Sequence, residues 1–432
     1  MQAAFQATVM NFLNEVASEF PAAISLAAGR PADRLFERLD HSALLQALIR
    51  YEKHALHGHT GKALNAWLLQ YGRTAGLIHE LVAHQVQTDE GVATHADRTV
   101  ITAGCQEALA LCLPELCPDP KDVVLVCNPT YIGITGAAHA SGVALSALPG
   151  AESDIAAQIE RAVAQLHREG RQARAVYLIP DFDNPTGRVL DLSQRRAVLS
   201  ACTRHRIVVL EDNPYGMFRY DGDVVPPMAA LDEVGCVIYL STYSKTISPA
   251  LRVGALTLPD TLFGDRAARQ ALFQALVQRK SFITVNTSQI CQAIIGGLLL
   301  EQEGSLRGWI QPTLEAYRVN RDTMLAQLQT TFVPWPDSIR WNRPDGGFFL
   351  TVDLPFRFDA QAVTACATEC HVIVMPMAFF AFDNSHDQRI RLAFSAVDPS
   401  QIRTGIAALG RFIERKMTQA QSRSGTPIPL AG

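Results

Sequence analysis

Between residues 95 and 255 the chain alternates short runs rich in β-branched residues with longer stretches of helical periodicity, and few folds accommodate that pattern. "RTVIT" (98–102) precedes "GCQEALALCLPEL", "DVVLVCNP" (122–129) precedes "TYIGITGAAHASG", and "AVYLIPDF" (175–182) precedes "LSQRRAVLSACTRH"; "RIVVLED" (206–212) and "CVIYLST" (236–242) follow. Such alternation predicts an α/β domain whose mostly parallel sheet is covered by helices on both faces.

The C-terminal part reads differently. A helical pattern over roughly 306–331 leads into "SIRWNRPDGGFFLTVDLP", an apolar strand pair around Gly346 and Gly347. "HVIVMPM" and "RIRLAFS" follow as further strands, and "QIRTGIAALGRFIERKM" closes the chain's ordered part as a helix. The expected organisation is a large domain over 46–304 and a smaller α+β domain over 305–418, joined by the N-terminal segment 1–45. The polar stretch 418–432 predicts a disordered tail over 419–432.

At 432 residues the chain exceeds a typical single core, and 48% hydrophobic residues suffice for a large interior. A net charge of -4 carries no basic excess, so nothing points to nucleic acid or to an anionic membrane. The nine cysteines are scattered through apolar runs without a zinc-ligand pattern, which suits buried free thiols in a reducing, cytoplasmic compartment. The first twenty residues do not read as a signal peptide, and no apolar run has transmembrane length.

Ligands of open α/β sheets collect at the carboxyl ends of strands. Five of the runs end in polar or glycine-bearing motifs there: "AGCQ" (103–106), "NPTY" (128–131), "DNPTG" (183–187), "EDNPYG" (211–216) and "STYSK" (241–245). Taken alone, Lys245 is a solvated loop charge. Thr242, Ser244 and Arg252 around it supply two hydroxyls and a guanidinium, a mixture that holds a phosphate dianion. A lysine beside such a site suits a phosphorylated carbonyl ligand, with which its amine forms a Schiff base. Asp212, ending an apolar strand, is either a turn or cap residue or the partner of a cation such as a protonated pyridine nitrogen. Gly104, Cys105 and Gln106 open a helix whose free N–H groups suit a phosphate. Asn184 reads as a turn residue or as a donor to a ring oxygen, and Tyr131 as a buried tyrosine or as a ring lying on an aromatic ligand.

In this order the motifs resemble the fold type I pyridoxal 5′-phosphate (PLP) enzymes, in particular class I/II aminotransferases of the 2-aminoadipate and kynurenine aminotransferase group. The resemblance runs from "AAISLAAGRP" (22–31) through "LLQYGRTAG" (68–76) and the five motifs to "PDGGFFL" and "RIRLAFS" (389–395). It implies a large domain built on a sheet of the seven-stranded type. It implies that Lys245 forms the Schiff base and moves the substrate proton, that Asp212 holds the pyridinium proton, and that Asn184 and Tyr215 bond the cofactor's 3′-oxygen. Tyr131 would stack on the ring, and Thr242, Ser244, Arg252 and the amides of Cys105 and Gln106 would meet the phosphate. Arg391 would grip the substrate α-carboxylate, while Arg389 on the same strand is expected to face the other way. Tyr71 would reach a neighbouring subunit's site, so a homodimer is implied.

Two positions depart from the family pattern. "AGRP" replaces the common "GGLP" and "YGRTAG" replaces "YGPTAG", so Arg30 and Arg73 are candidates to pair with a distal anionic group of the substrate, or else are exposed or internally paired arginines. The implied activity is transfer of an amino group between an L-amino acid and a 2-oxo acid, expected to be 2-oxoglutarate. The same constellation also serves lyases, cyclases, decarboxylases and oxidases, because the cofactor carries the chemistry. A regulator with a DNA-binding domain ahead of this body is the non-enzyme alternative, disfavoured by the early start of "ISLAAGRP" and by the charge balance.

Overall fold

A computed structural model of the chain describes residues 12, 15–55, 62–148 and 154–424. After the short strand β1 (Ile24–Ser25), seven strands build the main sheet: β2 (Thr99–Thr102), β3 (Asp122–Cys127), β4 (Ala144–Leu148), β5 (Gln172–Leu178), β6 (Val208–Asp212), β7 (Val237–Thr242) and β8 (Gly254–Thr257). Their spatial order is β2-β8-β7-β6-β5-β3-β4. Neighbours run parallel except β8, which is antiparallel to both β2 and β7.

The β-branched runs become central strands because both faces are covered. Val123 to Val126, Val209, Leu210, Ile238 and Leu240 are fully buried, which removes any need for alternating polarity. The helices Cys105–Leu116, Ile132–Ser141 and Leu192–His205 fall on the periodic segments between them. Leu192–His205 starts where it does because Asp191 and Gln194 form a reciprocal capping box. Strands β4 and β8 were not legible in the sequence: β4 is a half-exposed edge strand, and β8 has only four residues.

Strands β9 (Arg340–Trp341), β10 (Phe349–Asp353), β11 (Val372–Ile373), β12 (Met375–Pro376) and β13 (Arg389–Ala393) belong to the C-terminal part. Four of them form a sheet ordered β12-β13-β10-β9, and β11 pairs in parallel with β1. The N-terminal segment is laced on further, since Leu26 N–H donates to Ile373 and Ala393 N–H donates to Leu26. That lacing delivers residues 27–30 to the edge of the main sheet. The long helices Arg307–Phe332 and Pro399–Ser424 pack on one another. The last helix continues through Ser424, beyond the point where the sequence suggests order ends; residues 425–432 lie outside the described residues.

Candidate active site

Because β8 reverses direction twice over, β2 runs parallel to β7, and the carboxyl ends of β2, β3, β5, β6 and β7 share one edge. The same reversal brings the start of β8 back to that edge, where Gly254 is in register with both Thr102 and Thr242. A Cβ on Gly254 would lie 2.7 Å from the Ser241 carbonyl oxygen and 2.9 Å from Gly104 Cα, so a glycine is required for these three segments to meet. Above the edge lies a cavity of about 630 Å³.

Lys245 lines the cavity, and its Nζ donates to the Gly29 carbonyl at 3.1 Å. Burial, and then the nearby Arg391 charge, pull its ammonium down to about 8. Facing it, Asp212 ends β6 buried: Oδ2 accepts from the Tyr177 hydroxyl at 2.7 Å, while Oδ1 is buried with no hydrogen-bond partner among the described residues. Burial raises the Asp212 carboxyl above its ordinary value, opposed by the Tyr177 bond.

The two hydroxyls and the guanidinium near Lys245 lie together. Thr242 Oγ1 and Ser244 Oγ are 3.0 Å apart, and Arg252 donates to Ser244 Oγ at 3.3 Å and to the Ala103 carbonyl at 2.8 Å. Gly104, at φ 80°, caps the helix Cys105–Leu116, and a Cβ there would come within 2.7 Å of Arg252 Nη2. Tyr131 sits at the start of the helix Ile132–Ser141 and lines the cavity; Gly133 must lack a side chain because a Cβ would overlap the Tyr131 ring. Thr130 N–H donates to Phe380 and Asn128 Nδ2 to Asp383, which ties this loop to the C-terminal part.

Arg391, on β13, is buried against Phe349, with its guanidinium 4.1 Å from the ring centre. It donates to Asn184 Oδ1 at 2.5 Å and to the Ala27 carbonyl at 2.6 Å, and its Nε is buried without a partner among the described residues. Arg389 corrects the sequence expectation. Two residues apart on one strand, the pair shares a face, as do their register partners Thr351 and Asp353. They differ in position along the strand: Arg389 is paired with Asp353 and lines a separate cleft with Trp341 and Arg343.

Arg30 lines the cavity, with its side chain 61% exposed and 3.2 Å from Asp33. Tyr71 is 80% exposed and does not line this cavity. Arg73 instead lines a different cavity with His54 and His79. The sequence reading missed Tyr177, Gly29 and Phe349. A tyrosine within an apolar strand run carries no signal of its own, and Gly29 acts through its backbone.

A family model described as aminotransferase class I and II matches residues 40–409. The chain belongs to the class I and II aminotransferases. A transaminase of (S)-3,5-dihydroxyphenylglycine from Amycolatopsis orientalis is 35% identical over 416 residues, 94% of this chain and 92% of that protein. Two solved structures are each 26% identical. The kynurenine aminotransferase of Pyrococcus horikoshii, in complex with PMP, superposes with a TM-score of 0.79 over 95% of both chains. The α-aminoadipate aminotransferase LysN of Thermus thermophilus, complexed with N-(5′-phosphopyridoxyl)-L-leucine, gives 0.75 over 94% of this chain and 95% of that one. This aminotransferase is accordingly a PLP-dependent enzyme that moves amino groups.

The residues present fit that cofactor. The orphaned Asp212 Oδ1 is a buried acceptor suited to a pyridinium N–H, since an unpaired buried carboxylate oxygen is otherwise costly. Lys245, Arg252, Arg391 and Arg30 against Asp212 leave the cavity lining of this aminotransferase with a cationic excess. That excess suits a phosphate dianion together with a substrate carboxylate.

Proposed function

We propose that this aminotransferase takes the amino group from a bulky L-amino acid and passes it to a dicarboxylic 2-oxo acid, 2-oxoglutarate, in two half-reactions at Lys245. The observation that carries this reading is Arg391, buried beside the cavity with an unpartnered Nε and framed by Phe349 and Phe380. A bidentate guanidinium grips the α-carboxylate of either substrate. Ile132, Ile179, Ile373 and Met375 give the remaining wall an apolar character suited to a large side chain. Arg30, which meets the exposed Asp33, pairs with the distal carboxylate of the acceptor.

PLP bound here supplies an electron-poor pyridinium ring that takes up negative charge from the substrate's Cα. Asp212 would hold the proton on the ring nitrogen, and Tyr131 would offer its ring as a stacking partner. Asn184 and Tyr215 bond the ring's 3′-oxygen. Thr242, Ser244, Arg252 and the N–H groups of Cys105 and Gln106 hold the phosphate. Lys245, once free, stands as a neutral amine for part of the time near pH 7 and carries the proton to and from Cα.

The enzyme works as a cytoplasmic homodimer in which Tyr71 enters the partner's site. Trp67, Leu69, Tyr71, Phe282, Ile283 and Ile290 are exposed, and the Gln289 side chain bonds the Trp67 carbonyl at 2.9 Å, which sets the two segments side by side. Apolar surface of this extent is seldom left to water. The nine cysteines are all free thiols, in keeping with a reducing compartment, and among the described residues no helix is long and apolar enough to cross a membrane.

The test is a panel of single amino acids added to the holoenzyme without any 2-oxo acid. One equivalent of 2-oxo acid per site, with turnover resuming on addition of 2-oxoglutarate, is expected for bulky donors. Turnover without an acceptor, with release of ammonia or carbon dioxide, overturns the scheme. Arg30→Ala is expected to lose the preference for acidic over neutral acceptors; an unchanged preference removes Arg30 from it.

A further inference from the structure

Behind the phosphate-type cluster lies a largely buried ion pair. Lys280, on the helix Arg266–Ile283, is fully buried, and its Nζ lies 2.8 Å from both carboxylate oxygens of Glu107. Thr284 Oγ1 at 3.0 Å and Thr287 Oγ1 at 3.1 Å accept the remaining ammonium protons. Thr287 in turn donates to the Ile101 carbonyl at 3.1 Å. Every donor of the ammonium therefore has a partner.

Glu107 stands in the first turn of the helix Cys105–Leu116 and folds back, so that Oε2 accepts the Ala103 N–H at 2.5 Å. The carbonyl of the same residue accepts from Arg252 at 2.8 Å. Ala103 is thus held on its N–H by Glu107 and on its C=O by Arg252, and Gly104, the cap that opens the helix, follows directly. A bare carboxylate in this first turn would repel a phosphate dianion. Lys280 cancels that charge at a carboxylate largely shielded from water.

We propose that Lys280 and Glu107 form a buried brace that fixes the Ala103–Gly104 segment for the cofactor's phosphate, making both of them positioning residues for PLP binding. This rests on the reading above that the phosphate lies between residues 104–106 and Thr242, Ser244 and Arg252. The brace acts through the phosphate, so it predicts a selective effect: it matters for PLP and not for pyridoxal, which has the same ring and aldehyde without the phosphate.

The experiment measures apparent Kd values of PLP and of pyridoxal for the full-length protein stripped of cofactor, by absorbance titration. Lys280→Met is expected to weaken PLP about tenfold or more while leaving pyridoxal within about twofold, since it leaves an unpaired buried carboxylate beside the dianion. Adding Glu107→Gln to Lys280→Met removes that charge, and is expected to recover most of the loss. Thr287→Val, a milder change, should lower the PLP-to-pyridoxal preference in the same direction and by less, and serves if Lys280→Met does not fold. Equal weakening of both ligands, or an unchanged preference in Lys280→Met or, where that variant does not fold, in Thr287→Val, overturns the brace. Arg252→Met separates the two ideas: if it leaves the preference intact, the phosphate site itself is misplaced, whereas if it lowers the preference and Lys280→Met does not, only the brace fails.

Discussion

Tyr177 donates its hydroxyl to Asp212 at 2.7 Å across the ends of two neighbouring parallel strands, β5 and β6. The bond occupies one carboxylate oxygen and leaves the other unpartnered among the described residues, where the proposed ring N–H would be accepted. It also favours the charged carboxylate against the burial that raises it. Tyr177→Phe is therefore expected to slow the amino-acid half-reaction about tenfold, the worth of one hydrogen bond to a charged group. Stopped-flow absorbance on the holoenzyme reads it, and an unaltered rate removes Tyr177 from the site.

Lys245 should titrate far below an ordinary lysine. With its ammonium pulled down to about 8 from 10.5, about a tenth is neutral at pH 7, against about one part in three thousand otherwise. The rate at which stripped protein captures added PLP is expected to rise with pH and level off above about 8. Arg391→Met removes a repelling cation and should move that midpoint upward. A wild-type midpoint near 10 contradicts the assignment.

Arg391→Ala deletes both arms of the proposed carboxylate grip and removes the donor to Asn184. Two charge-assisted bonds correspond to a fall in kcat/KM of about 10²- to 10³-fold. Arg391→Lys should recover little, because an ammonium cannot match the fork. Steady-state kinetics with an amino acid and with the corresponding amine, which lacks the carboxylate, distinguishes lost recognition from a general defect.

Glu90 gives the fold a pH dependence of its own. Its carboxyl accepts from Asn213 Nδ2 at 2.6 Å and from Tyr239, and burial holds it up at about 8 against an ordinary 4.5. The folded state thus binds the proton more tightly than the unfolded one. The associated stability is complete below 4.5 and is lost as pH rises through 8. Glu90→Gln should match wild type near pH 4.5 and gain on it steadily toward pH 8, by roughly 2 to 4 kcal/mol at the upper end. Thermal unfolding of both proteins across that window checks the trend, and parallel curves would refute it.

Tyr71 lends itself to complementation. Tyr71→Ala and Lys245→Ala homodimers should each be impaired, the latter inactive. In a hybrid of the proposed dimer, the Tyr71→Ala subunit keeps its own Lys245 and would receive the intact Tyr71 of its partner. Activity regained on mixing and subunit exchange is expected, and its absence would show that Tyr71 does not cross between sites.

The rim motifs were readable because each couples a strand end to a residue type with specific chemistry: Asp212 after "VVL", Lys245 after "STYS", Asn184 before Pro-Thr-Gly. Strand β8 was not readable, although it is what brings the end of β2 to the edge shared by β3, β5, β6 and β7. Four residues do not establish a period. The spacing of Arg389 and Arg391 shows the opposite failure: the sequence reading set them on opposite faces, when they share a face and what separates them is distance along the strand.

The sequence by itself determined the alternation that makes the sheet, the order of the rim motifs and hence the chemistry of the cofactor site, because these depend on local period and on residue type at strand ends. Only the tertiary structure decided that Glu107 meets Lys280 across 173 positions, that Tyr177 guards one oxygen of Asp212, and that Gly29 lends its carbonyl to Lys245. Such contacts join segments far apart in the chain through single polar atoms. They leave no period in the sequence, and burial is what gives them their strength.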